Sequence, residues 1–223
     1  MYQFVVIFIS VILLGYLLER FLILLFGFRI FRLLTAPGIL VHEAAHALTA
    51  ILFGAKIKSF QVFKASGGEV SYTKPVFPLI SQPVISTAPI LACSVVLYLV
   101  GICLGFSFKD FHLQFSFADL VADLAAFFQT FGFNWKTIIF LYLVLSLTSA
   151  MAPSRKDLIN ATWGIVFLLI VFFLVYYFYS ASNLVFLKMS YFYSIGLYMI
   201  ILAFLITLVV WLIKLGVMKV LRL

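Results

Sequence analysis

Pro37-Gly38-Ile39-Leu40-Val41-His42-Glu43-Ala44-Ala45-His46-Ala47-Leu48-Thr49-Ala50-Ile51-Leu52-Phe53-Gly54 is the stretch that decides how the rest of the chain is read. It opens with a proline near the first turn and closes on a glycine, the usual punctuation of a helix. His42 and His46 stand four apart. On a helix both imidazoles then share one face and can bind one metal ion, with Glu43 flanking the water beside it. Residues 39–53 carry no other charge. Ionisable groups in so apolar a segment are costly without a cofactor or function to use them, so the stretch reads as a hydrolytic metal motif set in a membrane helix.

The whole chain fits that solvent. Of its 223 residues 66% are hydrophobic and 10% charged, and the mean hydropathy is +1.26, values that exclude a soluble globular domain. The apolar runs have the ~20-residue length of spanning helices and lack the alternation of an outer-membrane barrel. The expected fold is an α-helical polytopic membrane protein of about six transmembrane helices, at about 3–27, 38–54, 83–106, 136–153, 161–180 and 194–215, with a small membrane-associated β-hairpin. The first run lacks a basic leader and a cleavage site, so it reads as a retained helix. At 1.5 Å per residue the second span is roughly 25 Å long, short for a crossing unless neighbours shelter it. No soluble domain is left over, and residues 1–223 form a single membrane domain. The formal charge of +8 lies between the spans instead of in a basic patch, which gives the lipid bilayer and no nucleic acid as partner. Cys93 and Cys103 share one predicted span and read as packing residues.

Residues 56–73 change character. β-Branched and aromatic residues alternate with polar ones on both sides of Gly67-Gly68, the pattern of a hairpin, and Pro75, Pro78 and Pro83 are expected to end the strand and delay the next helix. Within the less apolar 107–134, residues 117–131 have helical periodicity, which fits an interfacial or a packed loop helix equally. Lys56, Lys58, Lys64 and Lys74 follow the second span, Arg155 and Lys156 the fourth, and Lys214, Lys219 and Arg222 the sixth. Simple alternation puts all of them on one side, the cytoplasm, with Asp110, Asp119 and Asp123 outside; Arg29 and Arg32 disagree with this scheme.

A catalytic zinc takes three protein ligands and keeps a fourth position open, so His42 and His46 need a third. His112 falls in the outer loop, Glu69 in the hairpin and Glu19 in the first span. Asp157 follows the basic exit of the fourth span, where Pro153 can turn the chain inward at the depth of His46. Asp is also a preferred N-cap, so Asp157 is either the third ligand or the cap of the helix from Leu158. In the hydrolytic reading the metal lowers the pKa of water towards ~7, and Glu43 takes the proton and returns it to the leaving amine.

The HEAAH on a second span, the hairpin after it, Thr87-Ala88-Pro89 in the third span and an Asp after a proline closing the fourth together resemble the site-2 protease family in a compact form without a PDZ or CBS domain. Those proteins are membrane-embedded zinc metalloproteases that cleave other membrane proteins within or next to their transmembrane helices. The resemblance covers about residues 38–165 as the catalytic core, leaving 1–37 as a leading helix and 166–223 as accessory helices. It implies one zinc ion, His42, His46 and Asp157 as ligands, Glu43 as general base, and a transmembrane protein or peptide as substrate. The family's Asn-Pro and Leu-Asp-Gly pattern is altered: Ala150 precedes Pro153, and Lys156 and Leu158 flank Asp157. Its Gly-Pro in the third span is Ala88-Pro89. The hairpin resembles the family's β element, whose edge can pair with substrate, and Gly67 and Gly68 would admit another backbone at close range. The expected location is a multi-pass protein of the cell membrane with its site towards the cytoplasm. Two other classes compete: a zinc transporter, which normally pairs such a helix with a second His-rich one, and a silent binder of membrane proteins, for which Glu43 has no use.

Overall fold

A computed structural model of the chain describes residues 2–64, 67–105, 134–152 and 182–221, with 122, 125, 129, 132, 154, 156, 157, 159, 162, 166, 170, 173, 174 and 177 besides. Its elements are α1 (Tyr2–Leu34), α2 (Ala36–Leu52), β1 (Ile57–Lys64), β2 (Gly67–Tyr72), α3 (Pro78–Leu104), α4 (Trp135–Ser149) and α5 (Ser182–Leu221). The chain is therefore mostly helical, with one small antiparallel sheet.

Among the described residues three helices are long and apolar enough to cross a membrane: 6–34, 78–104 and 195–216. The second and fourth expected spans form helices of 17 and 15 residues. The expected fifth, 161–180, falls on a region of which only 162, 166, 170, 173, 174 and 177 are described, all helical.

The expected six spans are thus not all met, and the second, Ala36–Leu52, follows closely on a kink. Gly27, with φ 76° and ψ 158°, kinks α1, and the seven residues after it lead straight into α2. Thr35 N–H donates to the Phe31 carbonyl and Ile39 N–H to the Thr35 carbonyl, both at 2.9 Å. These two bonds bridge the junction of α1 and α2 at Thr35, the N-cap of α2. Pro37 suits the start of α2, because a proline in a first turn lacks only a donor that has no helical acceptor there.

α3 begins earlier than the sequence reading expected. Pro78, not Pro83, opens it, and Pro83 and Pro89 lie inside. A proline at the start of a helix breaks no bond, whereas an internal one leaves the carbonyl four residues back unpaired. In a membrane that carbonyl needs another partner.

Helix positions along the bundle follow from a few contacts. A Cβ placed on Gly15 of α1 would lie 3.4 Å from Ala152, and one on Gly196 of α5 3.7 Å from Met151. From that shared level both helices run to a common end, where Lys214 Nζ donates to the Leu25 carbonyl at 3.0 Å. α1 and α5 are therefore parallel, and Lys214 sits at the Gly27 end. Six simply alternating spans would make them antiparallel, so the grouping of Lys214 with the hairpin lysines is corrected. Arg29 and Arg32, which fitted that scheme poorly, follow Gly27 at this same end.

Val11, Leu18, Ile90, Leu97, Phe140, Val144 and Ile200 make the buried interior, while Leu24, Leu33, Leu52 and Ile213 face outward. With lipid outside there is little hydrophobic drive between helices, so close packing holds them. Gly38 marks the tightest approach: its N–H donates to Ser146 Oγ at 2.9 Å, and a Cβ there would overlap the Ser146 carbonyl. Buried Ser94, Thr148 and Thr207 hydroxyls each donate to the carbonyl four residues back. That satisfies them without water.

β1 and β2 pair antiparallel, with Gln61 opposite Glu69 and Lys64 opposite Gly67. Gly67 and Gly68 are thus the first residues of β2 instead of the centre of the hairpin, and the turn residues 65 and 66 lie outside the described set. Between those two pairs β1 carries one residue more than β2, a bulge opposite Gly68.

Candidate metal centre

α2 presents His42, Glu43 and His46 to the end of the bundle that the hairpin covers. The Nε2 atoms of the two histidines are 3.1 Å apart, and the rings meet edge to face, 81° between planes. Each ring is fixed from behind. His42 Nδ1 donates to the Ala150 carbonyl, and His46 Nδ1 donates to the Ile85 carbonyl at 2.8 Å. A carbonyl only accepts, so in a neutral imidazole the proton sits on Nδ1 and the lone pair on Nε2. Both acceptors are carbonyls that the helices leave free. Ala150 is the C-cap of α4, and Ile85 stands four residues before Pro89, which has no N–H to offer it.

Asp157 closes the group. Its Oδ2 lies 3.5 Å from His46 Nε2 and 3.9 Å from His42 Nε2. One ligand atom from each of the three residues falls within 4.8 Å of the others. Two lone pairs and a carboxylate converging in a largely buried space fit a cation. Tetrahedral ligands at about 2.0–2.1 Å from zinc stand roughly 3.3 Å apart, close to the spacings seen here.

Asp157 is not the N-cap that the sequence allowed; it stands three residues after the N-cap, Ser154. Ser154 N–H and Oγ–H both donate to Asp157 Oδ2, at 2.9 and 2.6 Å, and Asp157 N–H reaches Ser154 Oγ at 3.2 Å. This reciprocal arrangement is a capping box with Ser154 as the N-cap and Asp157 three residues in. The same carboxylate faces both histidines. Burial works to raise its pKa, but His46 in its protonated form, the Ser154 hydroxyl and His42 hold it down to about 2. It is therefore an ionised, acceptor-only group at neutral pH.

Glu43 is 7% exposed and borders the same cavity. Its carboxylate lies under Gly68: a Cβ on that glycine would come 2.4 Å from Oε1 and 2.6 Å from Cγ. At Gly68 the close neighbour is thus the Glu43 side chain and not another backbone, and no side chain fits there. The cavity is about 300 Å³, roofed by β2 from Gly68 to Tyr72 and bounded by Gln82, Ser154 and Lys156.

Tyr72 and Gln82 also line the cavity. Tyr72 OH donates to Gln82 Oε1 at 3.4 Å. Burial raises the phenol's pKa, helped by the charge of Asp157, so the group stays protonated. Lys156 Nζ meets Glu69 Oε1 at 3.4 Å and ties β2 to the segment after α4. Both side chains are exposed, which makes the tie easy to open. Ser154 had a sequence signal, since Ser-x-x-Asp is a capping-box pattern; Tyr72 and Gln82 had none.

Glu19 lies in α1, outside the cavity lining. His112, Asp110, Asp119 and Asp123 fall outside the described residues, as does most of 117–131. Comparison with protein-family models, with curated proteins and with solved structures finds no match for this chain.

Proposed function

We propose that this chain is an intramembrane zinc metalloprotease of the kind that the site-2 proteases represent, hydrolysing peptide bonds within or next to transmembrane segments of other proteins. The observation that carries the reading is the convergence of His42 Nε2, His46 Nε2 and Asp157 Oδ2, with Glu43 bordering the same cavity.

Bound zinc supplies Lewis acidity, lowering the pKa of water and polarising the scissile carbonyl. The protein's own groups do the rest. Ala150 and Ile85 keep the two Nε2 lone pairs facing the cavity, and the Ser154 box holds the carboxylate of Asp157. Glu43 accepts a proton as the water oxygen bonds to the carbonyl carbon, and delivers it to the nitrogen as the C–N bond breaks. Tyr72 and Gln82 offer polar contacts to the peptide at the cavity wall.

A transmembrane substrate must unwind before it can be cut, since helical carbonyls are occupied. Among the described residues β2 pairs with β1 along one side only, so its other edge offers a template for an extended peptide. Lys56, Lys58, Lys64, Lys74 and Lys156 at the hairpin end support a cytoplasmic side for the site. Parallel α1 and α5 imply an odd number of crossings between and including them. A transporter would need a path of successive sites, and among the described residues there is one His-His-Asp group.

Purified protein is expected to hold about one zinc. Stripping it with a chelator stops cleavage of a reconstituted transmembrane peptide, and one equivalent of zinc restores it where magnesium does not. Cleavage that persists in the stripped protein contradicts the assignment.

A further inference from the structure

Pro89 lies in the middle of α3, buried, within a helix that continues to Leu104. A proline there costs the helix a hydrogen bond and crowds the preceding turn. What it leaves behind is the Ile85 carbonyl, four residues back, without its ladder donor. That carbonyl receives His46 Nδ1 at 2.8 Å, in a buried contact between α3 and α2. His46 is 6% exposed and Ile85 is fully buried, so no bulk water is at hand to take either role.

We infer that Pro89 is a positioning residue for the metal centre: by withholding its N–H it frees and tilts out the Ile85 carbonyl, which then fixes the tautomer and orientation of His46. With alanine at 89 the N–H returns, and the carbonyl is drawn back into the helical ladder. His46 then shares or loses its acceptor, and its Nε2 is no longer held towards His42 and Asp157. Groups that orient a ligand from behind in this way typically alter metal affinity by about 10- to 100-fold.

The inference rests on the zinc-site reading above, and α3 supplies its own control. Pro83 is a second internal proline in the same helix; the carbonyl it releases is that of Leu79, which is 54% exposed and does not border the metal cavity. Zinc affinity of the purified protein is measured by competition with a chromophoric chelator for wild type, Pro89→Ala and Pro83→Ala, along with thermal unfolding of the zinc-free forms. Expected is a loss of about 10- to 100-fold in zinc affinity for Pro89→Ala alone, with zinc-free protein that melts no earlier than wild type. Three results overturn the inference: wild-type affinity in Pro89→Ala, an equal loss in Pro83→Ala, which would make helix straightening the cause, or early melting of the zinc-free Pro89→Ala, which would make the proline a packing residue. Failure of the wild type to bind zinc is a separate result, and it removes the function reading itself.

Discussion

Glu43→Gln leaves zinc bound and lowers cleavage of a transmembrane substrate by about 100- to 10,000-fold, the range that a positioned general base contributes. Glutamine has the shape of glutamate, so the space beneath Gly68 stays filled and α2 keeps its packing. It has no carboxylate to accept a proton from water at neutral pH. Glu43 is not one of the three converging groups, and zinc content should match wild type by elemental analysis. The two readouts separate cleanly. Lost cleavage with retained metal marks a proton carrier; lost metal would move Glu43 into the ligand set, and unchanged cleavage would remove it from the chemistry.

Asp157→Asn and Asp157→Ala form the second pair of large effects. Asparagine can still accept from Ser154 N–H and Oγ–H, so the capping box survives in part and the fold keeps its local anchor. What it loses is the negative charge set 3.5 Å from His46 Nε2. Alanine loses both, and a lost cap costs about 1 kcal/mol. If the carboxylate is the third ligand, both variants release zinc while only the alanine form also melts earlier. A cap without a metal role predicts the opposite for asparagine, which would then retain zinc at wild-type strength. Zinc content after gel filtration, read beside thermal unfolding in detergent, decides between them.

Much of this was legible in the chain itself, for physical reasons that can be named. HEAAH needs only the helical repeat to bring His42 and His46 to one face, and the sequence alone carries that. The hairpin was legible because alternation with a period of two is a local property. Helix ends were harder. Pro78, Pro83 and Pro89 look alike as residues, yet the first starts α3 and the others are housed within it. Only tertiary contacts decide whether a freed carbonyl finds a partner. From the sequence, Pro89 implies an unpaired carbonyl at Ile85; that His46 answers it depends on how α2 lies against α3. The depth of Lys214 was misjudged because charge rules count crossings, whereas the parallel run of α1 and α5 is set by packing at Gly15, Gly196 and Leu25. The sequence leaves Asp157 open between ligand and N-cap, and the cap falls to Ser154, whose hydroxyl receives the Asp157 N–H.

The central claim is that the group at His42, His46 and Asp157, with Glu43 beside it, hydrolyses peptide bonds in the membrane. It is tested most directly by incubating the zinc-loaded protein in liposomes with a library of single-span peptides in water enriched in oxygen-18, and analysing the products by mass spectrometry. Expected are cuts within or next to the apolar segment, with one heavy oxygen in each new terminal carboxyl group. A library left intact by protein that holds a full equivalent of zinc would contradict it.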